Sequence, residues 1–157
     1  MEKIPMTVLG FAMLQDELKR LKTIERPSVI EALIEARSHG DLSENAEYDA
    51  AKERQGFVEG RIADIEDKLR RADVIDTELL SGDIVTFGAT VKLADEETDE
   101  HTTYKIVGVD EADIKSGKIS YTSPVAKGLI GKKIGENVIV TTPRGVRSFE
   151  ILSIKFG

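Results

Sequence analysis

Two apolar stripes of helical period, joined by a link of a few residues, fill the first half of this chain and constrain most of what it can fold into. The first runs through Phe11, Leu14, Leu18 and Leu21 in steps of three and four, the spacing that lines one face of an α-helix. Thr7 is placed to cap its N-terminus. Glu25-Arg26-Pro27 then interrupts it, because proline removes an amide donor and biases the residue before it away from helix. Ile30, Leu33 and Ile34 carry the stripe on to Ser38-His39-Gly40, where glycine suits a helix end. The expectation is one long helix kinked near Pro27, or two helices laid end to end. A second helix is expected from about Ser43 to Ala72, with a seam of Tyr48, Ala51, Gln55, Val58, Ile62, Ile65, Leu69 and Ala72. Gly56 and Gly60 are weak points in it, each costing roughly 1 kcal/mol relative to alanine. Two such stripes imply an antiparallel, coiled-coil hairpin. Some 30 residues a side make an arm about 45 Å long, too thin for a large core of its own.

Beyond Asp76-Thr77 the pattern changes to short β-branched runs punctuated by glycine. Strands are expected at Asp83–Gly88, Ala89–Leu93, Thr102–Val107, Asn137–Thr142 and Arg147–Ile154, with a short helix over Pro124–Ile130. The run from Asp95 to Glu100 is almost wholly acidic and reads as a solvated hairpin loop. The fold class is therefore α+β: residues 1–76 a helical arm, residues 77–157 a small β-rich domain.

Composition narrows the functional classes. The 157 residues carry 22 Lys+Arg against 29 Asp+Glu, a net charge of −7, and neither half is basic. That argues against a free-standing duplex-DNA binder, which relies on a basic face to neutralise phosphates. The absence of cysteine removes disulfide scaffolds, Cys-ligated zinc and thiol catalysis. No apolar run approaches the roughly 18–20 residues that span a bilayer, and Met1-Glu2-Lys3-Ile4-Pro5 does not read as a signal peptide, so a cytoplasmic protein with no membrane partner is expected. The second half holds no Walker loop, His-Glu pair or Ser-His-Asp set. His101, in the acidic loop, is expected to be solvated.

The link between the helices is where chemistry concentrates. Asp41 and Glu44 stand three apart at a helix start, so both carboxylates can project from the end of the arm. Two convergent carboxylates are the usual minimum for gripping Mg²⁺ when other ligands complete the octahedron. The same spacing is also close to a helix capping box, in which Asp41 or Ser43 serves as the cap. His39 beside the two acids permits a zinc site as a further alternative. Arg37, Lys52 and Arg54 flank the link. They either pair with Glu35, Asp49 or Glu53 on the helix surface or meet a nucleic-acid backbone alongside the arm. Tyr48 and Phe57 read as seam or core residues.

Ala36-Arg37, Gly40-Asp41-Leu42-Ser43-Glu44-Asn45-Ala46-Glu47-Tyr48 and Ala51-Lys52-Glu53 together resemble the signature of the bacterial transcript cleavage factors of the Gre type. Ile119 to Gly131, with Ser123-Pro124-Val125 at its centre, is similar to that family's C-terminal signature, so the resemblance spans essentially the whole chain. It implies an FKBP-like second domain that docks at the rim of the RNA polymerase secondary channel, with Ser123, Pro124 and Val125 in the docking loop. It implies an arm that enters the channel and reaches the extruded 3′ end of a backtracked nascent RNA. Asp41 and Glu44 would help the polymerase hold a second Mg²⁺ and orient the attacking water, with Ser43 as a hydrogen-bonding neighbour. Arg37 and Lys52 would meet the RNA, the lysine standing where the family is familiar with arginine; it keeps the charge but lacks the bidentate fork. On this reading the chain is an accessory factor and not itself an enzyme, acts as a monomer, and has no cofactor beyond Mg²⁺ shared with the polymerase. Its alternatives are a Gre-like inhibitor that plugs the channel and a structural or chaperone-like interaction module. Prolyl isomerase activity is not expected, because only 5% of residues are aromatic.

Overall fold

The computed structural model describes residues 2–40, 45–143 and 145–157. Contacts divide the chain into two compact units, one built on Phe11–Ala72 and the other on Lys3–Gly10 with Asp73–Gly157. The α+β reading holds: the first is a helical hairpin and the second is β-rich.

In the hairpin, α1 (Val8–Arg20) runs into a π-helical stretch, Leu21–Glu25, and then α2 (Arg26–Arg37). Arg20 and Arg26 both keep right-handed helical dihedrals, so the run is one continuous helix and the end-to-end alternative is set aside. The π stretch has a local cause. Pro27 has no N–H to give and its ring crowds the carbonyl one turn back. Winding the preceding turn wider shifts the bonding, so that the Arg26 N–H donates to the Leu21 carbonyl.

This extra residue moves the seam. Leu14 and Leu21 are buried, and beyond the π stretch the buried residues are Val29, Leu33 and Ala36. The expected Ile30 and Ile34 are instead 44% and 65% exposed. A regular helix continuing from Leu14, Leu18 and Leu21 would bury positions 25, 28, 32 and 35; the observed set lies one residue later. In α3 (Ala46–Arg70) the seam is as read: Ala51, Val58, Ile62 and Ile65 are buried, and Tyr48, Gln55 and Leu69 are half-buried. Phe57 is an exception to its reading, 71% exposed. Ion pairs tie the antiparallel helices in register: Arg61 to Glu17 at 2.6 Å, Arg54 to Glu25 at 3.0 Å and Arg26 to Glu59 at 2.8 Å. These surface pairs fix alignment more than they stabilise.

The second unit holds a two-stranded sheet of β1 (Ile4–Thr7) and β2 (Ala72–Ile75). A five-stranded sheet is built from β3 (Thr90–Asp95), β4 (His101–Val107), β5 (Lys118–Ser120), β6 (Asn137–Thr142) and β7 (Gly145–Lys155) in the order β5-β4-β3-β7-β6. β4 and β5 are parallel and the other pairs antiparallel. A bulge between Lys92 and Leu93 shifts the β3–β7 register. Val91, Leu93, Ile106, Ile119, Val138, Val140 and Ile151 point to one face and pack with Ala126 and Leu129 of α4 (Pro124–Leu129).

Two expectations need correction here. Asp83–Gly88 is not a ladder strand: Ile84 forms one isolated bridge to Lys133, and Val85 exchanges bonds with Lys132 and Gly131 at 2.8 Å before Gly88 turns the chain at φ +88. The acidic run does form the β3–β4 hairpin loop, with His101 exposed at its end, but Asp95 is buried. Asp95 accepts the Glu97 and Thr98 amides and pairs with Arg147 at 2.7 Å. These contacts, the Glu97 amide foremost, hold its carboxyl below the usual carboxylate range despite burial. A carboxyl with a depressed folded-state pKa contributes stability above its unfolded pKa of about 3.9 and loses it as the pH falls through the folded value. Asp95→Asn is therefore expected to lower the melting temperature at neutral pH, with the difference from the unsubstituted protein vanishing in acid.

Thr7 is the helix cap expected, its hydroxyl accepting the Gly10 N–H at 3.0 Å. That hydroxyl also bonds Glu111, whose carboxylate takes the Thr7 and Gly108 amides at 3.1 and 3.3 Å. The clamp leaves no room beside Gly10: a Cβ there would lie 2.2 Å from Glu111 Cδ. Gly10→Ala should thus destabilise by about 1–3 kcal/mol through the broken clamp. In a Glu111→Ala background the same change should stabilise by up to about 1 kcal/mol, since alanine is the better helix former. A double-mutant cycle by denaturant titration measures this reversal of sign.

Candidate functional site

The end of the arm is built by two helix termini that lock together. α2 closes with the Ser38 N–H on the Ile34 and Glu35 carbonyls and the Gly40 N–H on Arg37 at 3.1 Å, Gly40 taking a left-handed φ of +94. Glycine makes that conformation without a Cβ clash. α3 opens under Asn45. Its side-chain oxygen accepts the Tyr48 N–H at 3.1 Å while its amide nitrogen donates to the Ala36 carbonyl at 2.6 Å. One side chain thus caps α3 and ties it to the end of α2. The capping reading offered Asp41 or Ser43 for this work; the cap is Asn45, a residue the sequence reading passed over although asparagine directly before a helical stripe is a strong cap signal.

Asp41, Ser43 and Glu44 lie outside the described residues. The zinc alternative needs Asp41 and Glu44 and so also lies outside the described residues; its described member, His39, has Nδ1 3.2 Å from a Glu47 carboxylate oxygen. Among the described residues no three His, Cys, Asp or Glu side chains converge as a metal site.

The basic residues separate into two kinds. Arg54 is committed to Glu25 on the facing helix, so it joins the hairpin's own register and not the Glu35, Asp49 or Glu53 pairs considered for it. Arg37 lies over the Tyr48 ring, 5.9 Å from its centroid, a cation–π contact. Lys52 is exposed and has no ion-pair partner among the described residues. It stands one turn along α3 from Tyr48, on the same face. The structure therefore gathers Arg37, Tyr48 and Lys52 at one side of the arm's end, with both cations open to an anionic partner.

In the second unit, Ser123, Pro124 and Val125 come together at the start of α4. The Ser123 hydroxyl accepts the Ala126 N–H at 3.2 Å, capping the helix, and Pro124 follows where a missing N–H costs nothing. All three line a groove of about 240 Å³ whose other walls include Tyr104, Ile119 and Pro143. The groove is mainly apolar, suited to a protein side chain and not to an anion.

Two family descriptions match in order along the chain: "Transcription elongation factor, N-terminal" over residues 4–74 and "Transcription elongation factor, GreA/GreB, C-term" over residues 80–156. The chain belongs to the GreA/GreB family of transcription elongation factors. Family members called transcription elongation factor GreA are similar along its whole length. That of Caulobacter vibrioides is 62% identical over 156 residues, 99% of each chain, and that of Maricaulis maris is 60% identical over 157 residues, all of each chain. Among solved structures, GreA factor homolog 1 of Thermus thermophilus aligns over 98% of this chain and 99% of its own at 28% identity, with a TM-score of 0.46. No helix among the described residues is long and apolar enough to cross a membrane.

Proposed function

We propose that this elongation factor binds RNA polymerase through its second unit and extends its hairpin into the secondary channel, where it stimulates the polymerase to cleave backtracked nascent RNA. It is an accessory factor that lends side chains to another protein's active site. Asp41 and Glu44 are the lent carboxylates, Ser43 a supporting hydrogen-bond donor, Arg37 and Lys52 the RNA contacts, and the Ser123-Pro124-Val125 groove the docking surface. The donor set suits Mg²⁺: carboxylate oxygens are hard ligands, and two of them leave room for ligands from elsewhere. Held jointly with the polymerase, Mg²⁺ supplies Lewis-acid activation of water and charge stabilisation in phosphodiester hydrolysis. Asp41 and Glu44 orient that water, while Arg37 and Lys52 hold the RNA backbone against the arm.

The observation that carries this reading is the Asn45 cap. With the start of α3 capped and tied to Ala36 by Asn45, the acids preceding it are not needed to begin the helix. The test uses a purified backtracked elongation complex with labelled RNA in Mg²⁺. Addition of the factor shortens the transcript; Asp41→Ala and Glu44→Ala forms bind the polymerase and do not shorten it. Binding without shortening by the unsubstituted protein would make it a channel-plugging inhibitor. No binding would leave an interaction module with no role in cleavage.

A further inference from the structure

Ile30 and Ile34 are large apolar side chains turned to solvent, 44% and 65% exposed, a consequence of the π stretch that rotates the seam onto Val29, Leu33 and Ala36. Each sits one residue after a seam residue, about 100° round the helix, as Arg37 does after Ala36. On α3, Lys52 and Glu59 likewise follow the buried Ala51 and Val58. In an antiparallel pair of right-handed helices, residues one step past the seam fall on the same side from both helices. Two observed contacts fix that side: Arg26 bonded to Glu59 at 2.8 Å and Arg37 over Tyr48 at 5.9 Å.

Ile30, Ile34, Arg37, Tyr48 and Lys52 therefore form one strip running about 10 Å along α2 from Ile30 to Arg37. Its electrostatics are unlike the rest of this acidic chain. Glu31, Glu35 and Glu53 are each two residues past the seam and face away, whereas Asp49, one residue past Tyr48 and one turn before Lys52, borders the strip. Glu59, at the strip's far end, is neutralised by Arg26. What remains is an apolar floor with two cations open to a partner and one acid, Asp49, at its edge. Single-stranded nucleic acid is recognised by phosphates on cations with base faces on aromatic rings, and bases taken out of the stack also lie against apolar side chains.

We propose that Ile30 and Ile34 are base-contact residues, on which nucleotides of single-stranded RNA lie while their phosphates meet Arg37 and Lys52. This rests on the RNA polymerase reading above and adds to it which face of the arm carries the strand and what holds the bases.

The experiment places a benzoylphenylalanine photo-crosslinker at position 34, or at position 57 as a control on the other side of the hairpin, in the full-length protein. Each form is added to a backtracked elongation complex with 3′-labelled RNA, and label transfer and transcript shortening are read in the same samples. Label is expected on the position 34 form and not on the position 57 form. Crosslinking of position 34 only to polymerase polypeptide, or equal RNA capture at 57, with shortening intact, would overturn the base-contact assignment and leave the cleavage reading standing. No shortening with the unsubstituted protein would remove the cleavage reading and this inference with it. In parallel, the Ile30→Ser/Ile34→Ser protein should need about 5-fold more factor for half-maximal shortening, consistent with losing two modest apolar contacts, with hairpin melting unchanged. An unchanged requirement would also overturn the assignment.

Discussion

Asp41→Ala and Glu44→Ala should each slow factor-stimulated transcript cleavage by about 10²-fold or more, the usual loss when one group that stabilises developing charge is removed from a hydrolytic site. Neither should weaken competition for the polymerase, because on the proposed reading docking lies in the second unit. Neither should cost stability beyond about 0.5 kcal/mol, the range for surface substitutions that break no special feature. This last expectation separates the catalytic reading from the capping one. Were either acid the cap of α3, its alanine form would melt early by about 1 kcal/mol. That penalty should appear with Asn45→Ala, which strips the Tyr48 N–H and the Ala36 carbonyl of their partner together. Asn45→Ala should therefore lower hairpin stability and loosen the arm's end, impairing cleavage indirectly, and Asn45→Asp should restore the cap but not the bond to Ala36. Early melting of the Asp41 or Glu44 variants, or cleavage at the unsubstituted rate, would return those acids to a structural role.

Much of this architecture was legible in the chain. The seam of α3 follows from the period of its apolar residues, the Thr7 cap from its place before a helical stripe, and α4 from Ser123-Pro124. Strands β3, β4, β6 and β7 follow from β-branched runs set between turns. What escaped the sequence has physical causes. Val29 and Ile30, or Leu33 and Ile34, are adjacent and equally apolar, so composition offers two stripes one residue apart; only the π winding forced by Pro27 decides between them. Asp95 looks like one more solvated acid because its partner Arg147 is 52 residues away. Asp83–Gly88 has strand composition, but its backbone pairs with a turn at Lys132-Lys133 and not with a strand. At the site, the identity of the basic residues was readable but their division was not: Arg54 belongs to the hairpin through Glu25, while Arg37 and Lys52 face outward, and that difference is set by which residues the facing helix brings opposite.

The π stretch makes a sharp prediction about single-residue deletions in α2. Removing Glu31, an exposed residue past the π stretch, would pull everything after it back by one position. Leu33 and Ala36 would leave the seam, and Ile34 and Arg37 would enter it. Placing a guanidinium where Ala36 is 2% exposed breaks the close approach of the helices and buries a charge with no partner, and losing Leu33 adds the about 2–5 kcal/mol typical of large core truncations. The hairpin should lose cooperative melting by far-UV circular dichroism. Removing Thr23 instead closes the wide turn to an ordinary α-helical one and leaves Val29, Leu33 and Ala36 on the regular continuation of Leu14 and Leu21. Alone, this deletion traps Pro27 inside a regular helix at a cost of about 3 kcal/mol; with Pro27→Ala the conflict is gone. The Thr23 deletion in the Pro27→Ala background should thus melt within about 1 kcal/mol of the parent, propensity differences being all that remains. The Glu31 deletion in the same background, on closing the π turn, regains Leu33 and Ala36 but seats Ser28 in place of Val29 and should be less stable by about 2–3 kcal/mol. Equal tolerance of both deletions would mean that the seam is not set by the π turn, and that Ile30 and Ile34 face solvent for some other reason.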